Sequence, residues 1–103
     1  MSDILSPADC TTMTEVRAGV DAVDRQIVAL LALRFGYMDA AARIKPQREA
    51  VRDEWRKADV LAKVEDAAIA ADIDAALVAR LYEDLIETSI AHELRRWDAI
   101  RQD

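Results

Sequence analysis

Two prolines, two glycines and a single cysteine are all that this 103-residue sequence holds of the residues that punctuate or staple a small protein. Cys10 alone closes no internal disulfide and anchors no cysteine metal cluster. His92, the only histidine, has no second histidine or cysteine at ligand spacing, which argues against a metal site and against a serine or cysteine triad. There is no glycine-rich phosphate loop. No β-branched alternation lies between turn clusters, so strands are not expected. No apolar run approaches membrane-spanning length, and the first ten residues lack a basic segment followed by an apolar stretch. A cytoplasmic location is the default expectation. Positive charge is in the minority: 14 Lys and Arg stand against 20 Asp and Glu, for a net charge of −6. That balance argues against nucleic acid and against an anionic membrane surface as partners. It leaves a small anionic substrate, which needs only local positive charge.

What the sequence does have is helix. Apolar residues make up 52% of it, enough for a folding chain of one domain spanning residues 1–103. Residues 1–11 read as an irregular arm containing Pro7. Thr12 and Glu15 form a capping box that opens a helix over Met13 to Ile44, and Pro46 disfavours helical geometry at Lys45 and closes it. Val16, Val20, Val23, Ile27, Leu30, Leu31, Met38, Ala41 and Ile44 recur along it at steps mostly of three and four. At ~1.5 Å per residue it is roughly 45–50 Å long, too long for a chain of this size to cover alone. A polar loop from Pro46 to about Ala50 leads to a second helix over about Val51 to Ala70, with Val60, Leu61, Val64, Ala67 and Ala68 on one stripe. Asp74 is a good N-cap for a third, with Ile73 placed to staple onto Val78. Its stripe is Val78, Leu81, Leu85, Ile86, Ile90, Leu94, Trp97 and Ile100. The fold class is all-α: three helices, long, short and long.

Polar residues on these stripes are the candidates for chemistry, because a buried charge is costly unless paired. Arg34 and Lys45 are eleven residues apart, close to a whole number of turns, so both project from one face with backbones about 16 Å apart. Together they suit a ligand with separated negative groups; singly, each also reads as a solvated charge. Arg17 is offset by roughly a quarter turn or more and points elsewhere; alone it reads as a solvated charge, and only in an antiparallel pair of helices is it placed to reach the site of a partner chain. Ser89 and Glu93 stand four apart in line with Leu85. A carboxyl group in an apolar stripe is expected to hold its proton more tightly and so to donate near neutral pH. The alternative is a glutamate at the stripe's edge paired to an arginine such as Arg96. Asp53 and Arg56, three apart, read as a surface ion pair. Trp55, Trp97, Tyr37 and Tyr82 read as packing residues.

The ordered set Arg17-x6-Asp24, Leu30-Leu31-x-x-Arg34, Lys45, Val51-Arg52-Asp53-x-x-Arg56 and Ser89-x3-Glu93 resembles the all-helical chorismate mutases over nearly the whole chain. The opening Ser-Pro-Ala-Asp-Cys and Arg-x-x-Val-Asp-x-x-Asp from Arg17 are most similar to the branch that includes isochorismate-pyruvate lyases. The resemblance implies an intertwined homodimer of three-helix chains with two active sites and no cofactor. It implies that Arg34 and Arg56 hold substrate carboxylates, with Arg17 arriving from the other subunit. Lys45 then stabilises the ether oxygen of the breaking bond. Glu93, where many members have glutamine, hydrogen-bonds the same oxygen. Asp53 and Ser89 position the ring and a carboxylate or hydroxyl. Lys57 stands where many members carry a glutamate that binds the ring hydroxyl. Ala41, Ile86 and Ile90 line the apolar wall.

The expected activity is the [3,3] rearrangement of the dianion chorismate to prephenate. The alternatives are isochorismate-pyruvate lyase, giving salicylate and pyruvate, and a non-catalytic helical dimerisation module. A pericyclic reaction needs no nucleophile, only a compact conformer and donors where charge develops.

Overall fold

The computed structural model describes residues 4–102. They form three α-helices, α1 (Met13–Ile44), α2 (Glu54–Ala70) and α3 (Ala75–Ile100), with short 3-10 turns at Pro7–Asp9 and Arg48–Ala50. No strand occurs among the described residues. The chain divides after Arg34 into two compact units.

In the first unit, Pro7 sits at the start of the arm's 3-10 turn, where its fixed φ suits helix entry and its missing N–H costs nothing. The capping box forms as expected. The Glu15 backbone N–H donates to Thr12 Oγ1 at 3.2 Å, and the Thr12 N–H donates back to Glu15 Oε1 at 3.0 Å. Glu15 also accepts from the Thr11 backbone at 2.9 Å, and these donors hold its carboxyl below the ordinary value. From this start α1 carries its apolar stripe into solvent. Val16, Val20, Val23, Ile27 and Leu30 are all exposed, Leu30 by 64%. The arm and the stripe frame an apolar recess of about 370 Å³ lined by Ile4, Leu5, Cys10, Val16, Val20 and Val23.

In the second unit, the last turns of α1 pack with α3, and α2 packs along α3. The buried apolar side chains are Ala42, Val51, Ala68 and Ile86, all small or medium in size. Such side chains let helix backbones approach closely. Asp74 caps α3 through a 2.9 Å bond from the Ala76 N–H, as expected. The α2 C-terminus closes with Asp72 at φ 59°, in the left-handed region. The Ile73 N–H reaches Ala68 O at 3.0 Å and the Asp72 N–H reaches Ile69 O at 3.1 Å, the paired bonds of a Schellman motif.

Three local expectations change. The second helix begins at Glu54 and not Val51, because Asp53 is its N-cap, accepting the Arg56 N–H at 3.0 Å on Oδ1. Val51 lies outside the helix and is nonetheless core, 4% exposed. The third stripe is only partly covered: Leu81 and Ile100 are exposed, as is Ile73, its intended staple. Trp55, expected to pack, is 76% exposed.

The C-terminus of α1 is closed in an unusual way. The N–H that would bond Ala42 O belongs to residue 46, which is proline and has none. Ala42 is fully buried, so its carbonyl has no recourse to water. Arg101, just past α3, supplies the donor: Nη1 bonds Ala42 O at 3.0 Å and Nη2 bonds Lys45 O at 2.8 Å. Trp97 Nε1 donates to the same Lys45 O at 3.0 Å, and the Arg101 guanidinium lies 4.1 Å from the Trp97 ring centroid.

Candidate functional site

Lys45 follows α1 immediately, and its side chain turns onto α3. Nζ stands 2.8 Å from Glu93 Oε2, with the glutamate side chain 5% and the lysine 30% exposed. The approach lacks hydrogen-bond alignment, so Oε2 is held by charge alone. Glu93 pairs with Lys45 and not with Arg96, whose Nε is 3.5 Å from Asp39. One turn earlier Ser89 is buried, 3% exposed, its hydroxyl donating back to Leu85 O at 2.6 Å. Ile86 is buried beside it, while Ile90 and Ala41 are half-buried. Glu93, Ser89 and Ile86 occur at helical spacing because burial on α3 selects one face, and two polar groups have been placed on that face.

At the start of α2 the arrangement departs from expectation. Asp53 uses its side chain as the helix cap, and the Arg56 guanidinium pairs one turn onward with Asp59 at 2.6 Å. The Asp53–Arg56 ion pair is therefore not formed; the two are linked through the Arg56 backbone. Lys63 and Arg56 together hold the Asp59 carboxyl below its ordinary value. Lys57 is engaged by α3, 2.7 Å from Glu83 and 2.8 Å from Glu87. Arg52 meets Glu87 at 2.7 Å and Glu54 at 3.0 Å. Hydrogen bonds from Arg52 and then Lys57 push the Glu87 carboxyl down to about 2. The same contacts, Glu83 first, raise the Lys57 ammonium.

Arg17 and Arg34 belong to the first unit, Arg17 exposed and Arg34 half-buried. The second unit gathers Lys45, Glu93, Ser89 and Ile86, and separately gathers Lys57 with acidic residues of α3.

Sequence reading missed three polar partners. His92 Nε2 meets Asp39 Oδ1 at 2.6 Å, with Phe35 edge-on to the imidazole at 5.0 Å. Trp97 and Arg101 bond the carbonyls that end α1. Only Pro46 signalled the last of these, by removing a donor from a helix end. Among the described residues no group of three or more His, Cys, Asp or Glu side chains is disposed to hold a metal ion, and no helix is long and apolar enough to cross a membrane.

The comparisons with known proteins agree with one another on family. The profile described as chorismate mutase type II matches residues 16–94. A protein of Pseudomonas aeruginosa named isochorismate pyruvate lyase is 31% identical over 96 residues, covering 93% of this chain and 95% of that protein. A three-helix chain with a lysine just past its long helix, paired with a buried glutamate on its third, and matched by that profile over most of its length, belongs to the chorismate mutase type II family.

Proposed function

We propose that the protein is a chorismate mutase that works as a homodimer. The observation that carries this reading is the Lys45–Glu93 pair: a cation and a carboxyl group 2.8 Å apart, beside buried Ser89 and Ile86. In the rearrangement of chorismate the ether C–O bond breaks as a C–C bond forms, and negative charge grows on the ether oxygen. Lys45 is the cation that meets that charge, and a preorganised cation in a partly dry site is worth far more than one in water. Glu93 in its protonated form donates a second hydrogen bond to the same oxygen; as a carboxylate it can only pair with Lys45. Arg34 and Arg56 hold the two carboxylates, guanidinium forks being suited to them. The substrate exchanges with Asp59 for Arg56. Arg17 reaches the site of the partner subunit. Asp53, Ser89 and Lys57 position the ring and its substituents, Lys57 by releasing one of its two carboxylates. Ala41, Ile86 and Ile90 give the apolar wall that favours the compact conformer.

The exposed row Val16, Val20, Val23, Ile27 and Leu30 supports the dimer, since an apolar stripe of this length on one helix is the kind of surface that association removes from water.

A second reading, isochorismate-pyruvate lyase, is favoured by the name of the Pseudomonas aeruginosa relative. It is a pericyclic elimination that uses the same cations. Pure protein incubated with each substrate, with prephenate or salicylate followed across pH, separates the two. Glu93→Gln belongs in the same assay: an unchanged pH–rate curve removes Glu93 from the mechanism. Activity and folding both unchanged in Arg34→Ala and Lys45→Ala leave only a dimerisation module.

A further inference from the structure

Trp97 and Arg101 lie outside every residue assigned to the site above, yet both end on the backbone of Lys45. Trp97 Nε1 and Arg101 Nη2 converge on one carbonyl, Lys45 O, at 3.0 and 2.8 Å. Arg101 Nη1 takes Ala42 O, one turn earlier, at 3.0 Å. The guanidinium is held over the Trp97 ring at 4.1 Å, so the two donors act as one unit. This unit sits where α1 is weakest. Pro46 has deprived Ala42 O of its helical donor, and the last bond of the helix proper is the Lys45 N–H to Ala41 O at 2.9 Å. Trp97 is also one turn beyond Glu93 on α3. The element that supplies the carboxyl partner of Lys45 therefore supplies the clamp on its backbone.

We infer that Trp97 and Arg101 are positioning residues: they fix the end of α1 against α3 so that the Lys45 ammonium is delivered to Glu93 and to the substrate oxygen beside it. Neither touches the substrate; both act through the Lys45 backbone. A lysine side chain has four rotatable bonds, and from an unanchored chain end it would sample many placements. Two side-chain donors on its carbonyl fix the backbone from which those bonds turn, and the pairing with Glu93 selects among the placements left. The functional half of this inference rests on Lys45 as the cation at the breaking bond; the structural half does not.

The test uses Trp97→Phe, which keeps a ring against Arg101 and removes the N–H donor, and Arg101→Met, which keeps the stem and removes the fork. Arg101→Lys restores one donor. Three readouts are taken on folded protein. In steady-state kinetics on chorismate and on isochorismate, kcat falls by about tenfold in the first two variants while KM stays within about twofold, since a misplaced group acting in the transition state costs rate before binding. Arg101→Lys recovers part of the loss. In hydrogen exchange, the Lys45 amide loses protection. In side-chain amine NMR, the Lys45 ammonium signal moves toward that of a solvated lysine.

A lower melting temperature with kcat and the Lys45 signal unchanged overturns the inference and leaves a purely structural cap. So does an equal fall in kcat for Arg48→Met, which removes the exposed bridge from the 3-10 turn after α1 to Asp98 of α3 and predicts general loosening instead. Wild-type protein inactive on both substrates sinks the proposed function. The exchange and NMR readouts still decide the clamp in that case: an unmoved Lys45 signal in Trp97→Phe and Arg101→Met refutes it, and a displaced one upholds it.

Discussion

Lys45 Nζ and Glu93 Oε2 face each other at 2.8 Å, but the two partners are unequal: the glutamate side chain is 5% exposed and the lysine 30%. Removing the lysine strands a buried carboxylate, whereas removing the negative charge leaves an ammonium that can turn toward water. Lys45→Met is therefore expected to destabilise the fold by about 2–4 kcal/mol, and Glu93→Gln by about 1 kcal/mol or less, because its amide keeps the shape and leaves no buried charge behind. Urea unfolding of the two variants checks the asymmetry; equal losses contradict it. If the proposed mutase reaction is the activity, Lys45→Met is also expected to lower kcat by at least about a hundredfold, read in a prephenate assay.

The acid limb of stability belongs in part to Glu87. Arg52 and Lys57 hold its carboxyl at about 2, below the ordinary 4.5, so the folded state binds its proton more weakly than the unfolded state. The contribution is complete above about pH 4.5 and is lost as pH falls toward 2. Wild-type and Glu87→Gln should thus differ most at neutral pH and converge between pH 4.5 and 2, read as urea midpoints at each pH. A difference that is constant over that window refutes the assignment.

Asp72 adopts φ 59° at a position where most helices place glycine. Asp72→Gly removes the side chain that opposes this backbone. A gain of about 0.5–1 kcal/mol is expected, seen calorimetrically as a rise in melting temperature of a few degrees. An unchanged or lower melting temperature shows that the aspartate compensates its own strain.

The apolar row on the first half of α1 gives the test of assembly. Val20→Glu and Ile27→Glu place charges among residues that are about half exposed in the single chain. They should cost a monomer almost nothing and a dimer its interface. Light scattering with size exclusion is expected to show dimer for wild type and monomer or unfolded chain for the double variant. Wild-type protein that elutes as monomer at all concentrations rules out the shared site and with it the partner role of Arg17.

Features set by neighbours a few residues apart were legible in the sequence. Thr12 with Glu15, Pro46 and Asp74 placed helix ends because capping is a local exchange between a side chain and the nearest free N–H. The start of α2 was misplaced for the same kind of reason: Asp53 was read for its charge, as a partner of the Arg56 guanidinium, when its nearer role was to accept the Arg56 N–H. The choice of Lys45 over Arg96 for Glu93 depends on how α3 lies against the end of α1, which no spacing along α3 encodes. Lys57 with Glu83 and Glu87 is of the same type, joining residues 26 and 30 apart. The exposed stripe shows the other limit. Helical periodicity finds an apolar face but does not say whether the same chain or another molecule covers it.

Pro46 ends α1 with one donor missing, and the replacement comes from Arg101, 59 residues after the carbonyl it serves. That separation orders events during folding. Helix ends closed by local caps are complete as soon as their own turn forms, on a microsecond scale or faster. The end of α1 waits until α2 and α3 have been made and docked, since a contact this distant forms only after the intervening chain has been drawn in. On a growing polypeptide, then, the lysine that faces Glu93 is fixed in place only after the last turn of α3 has emerged.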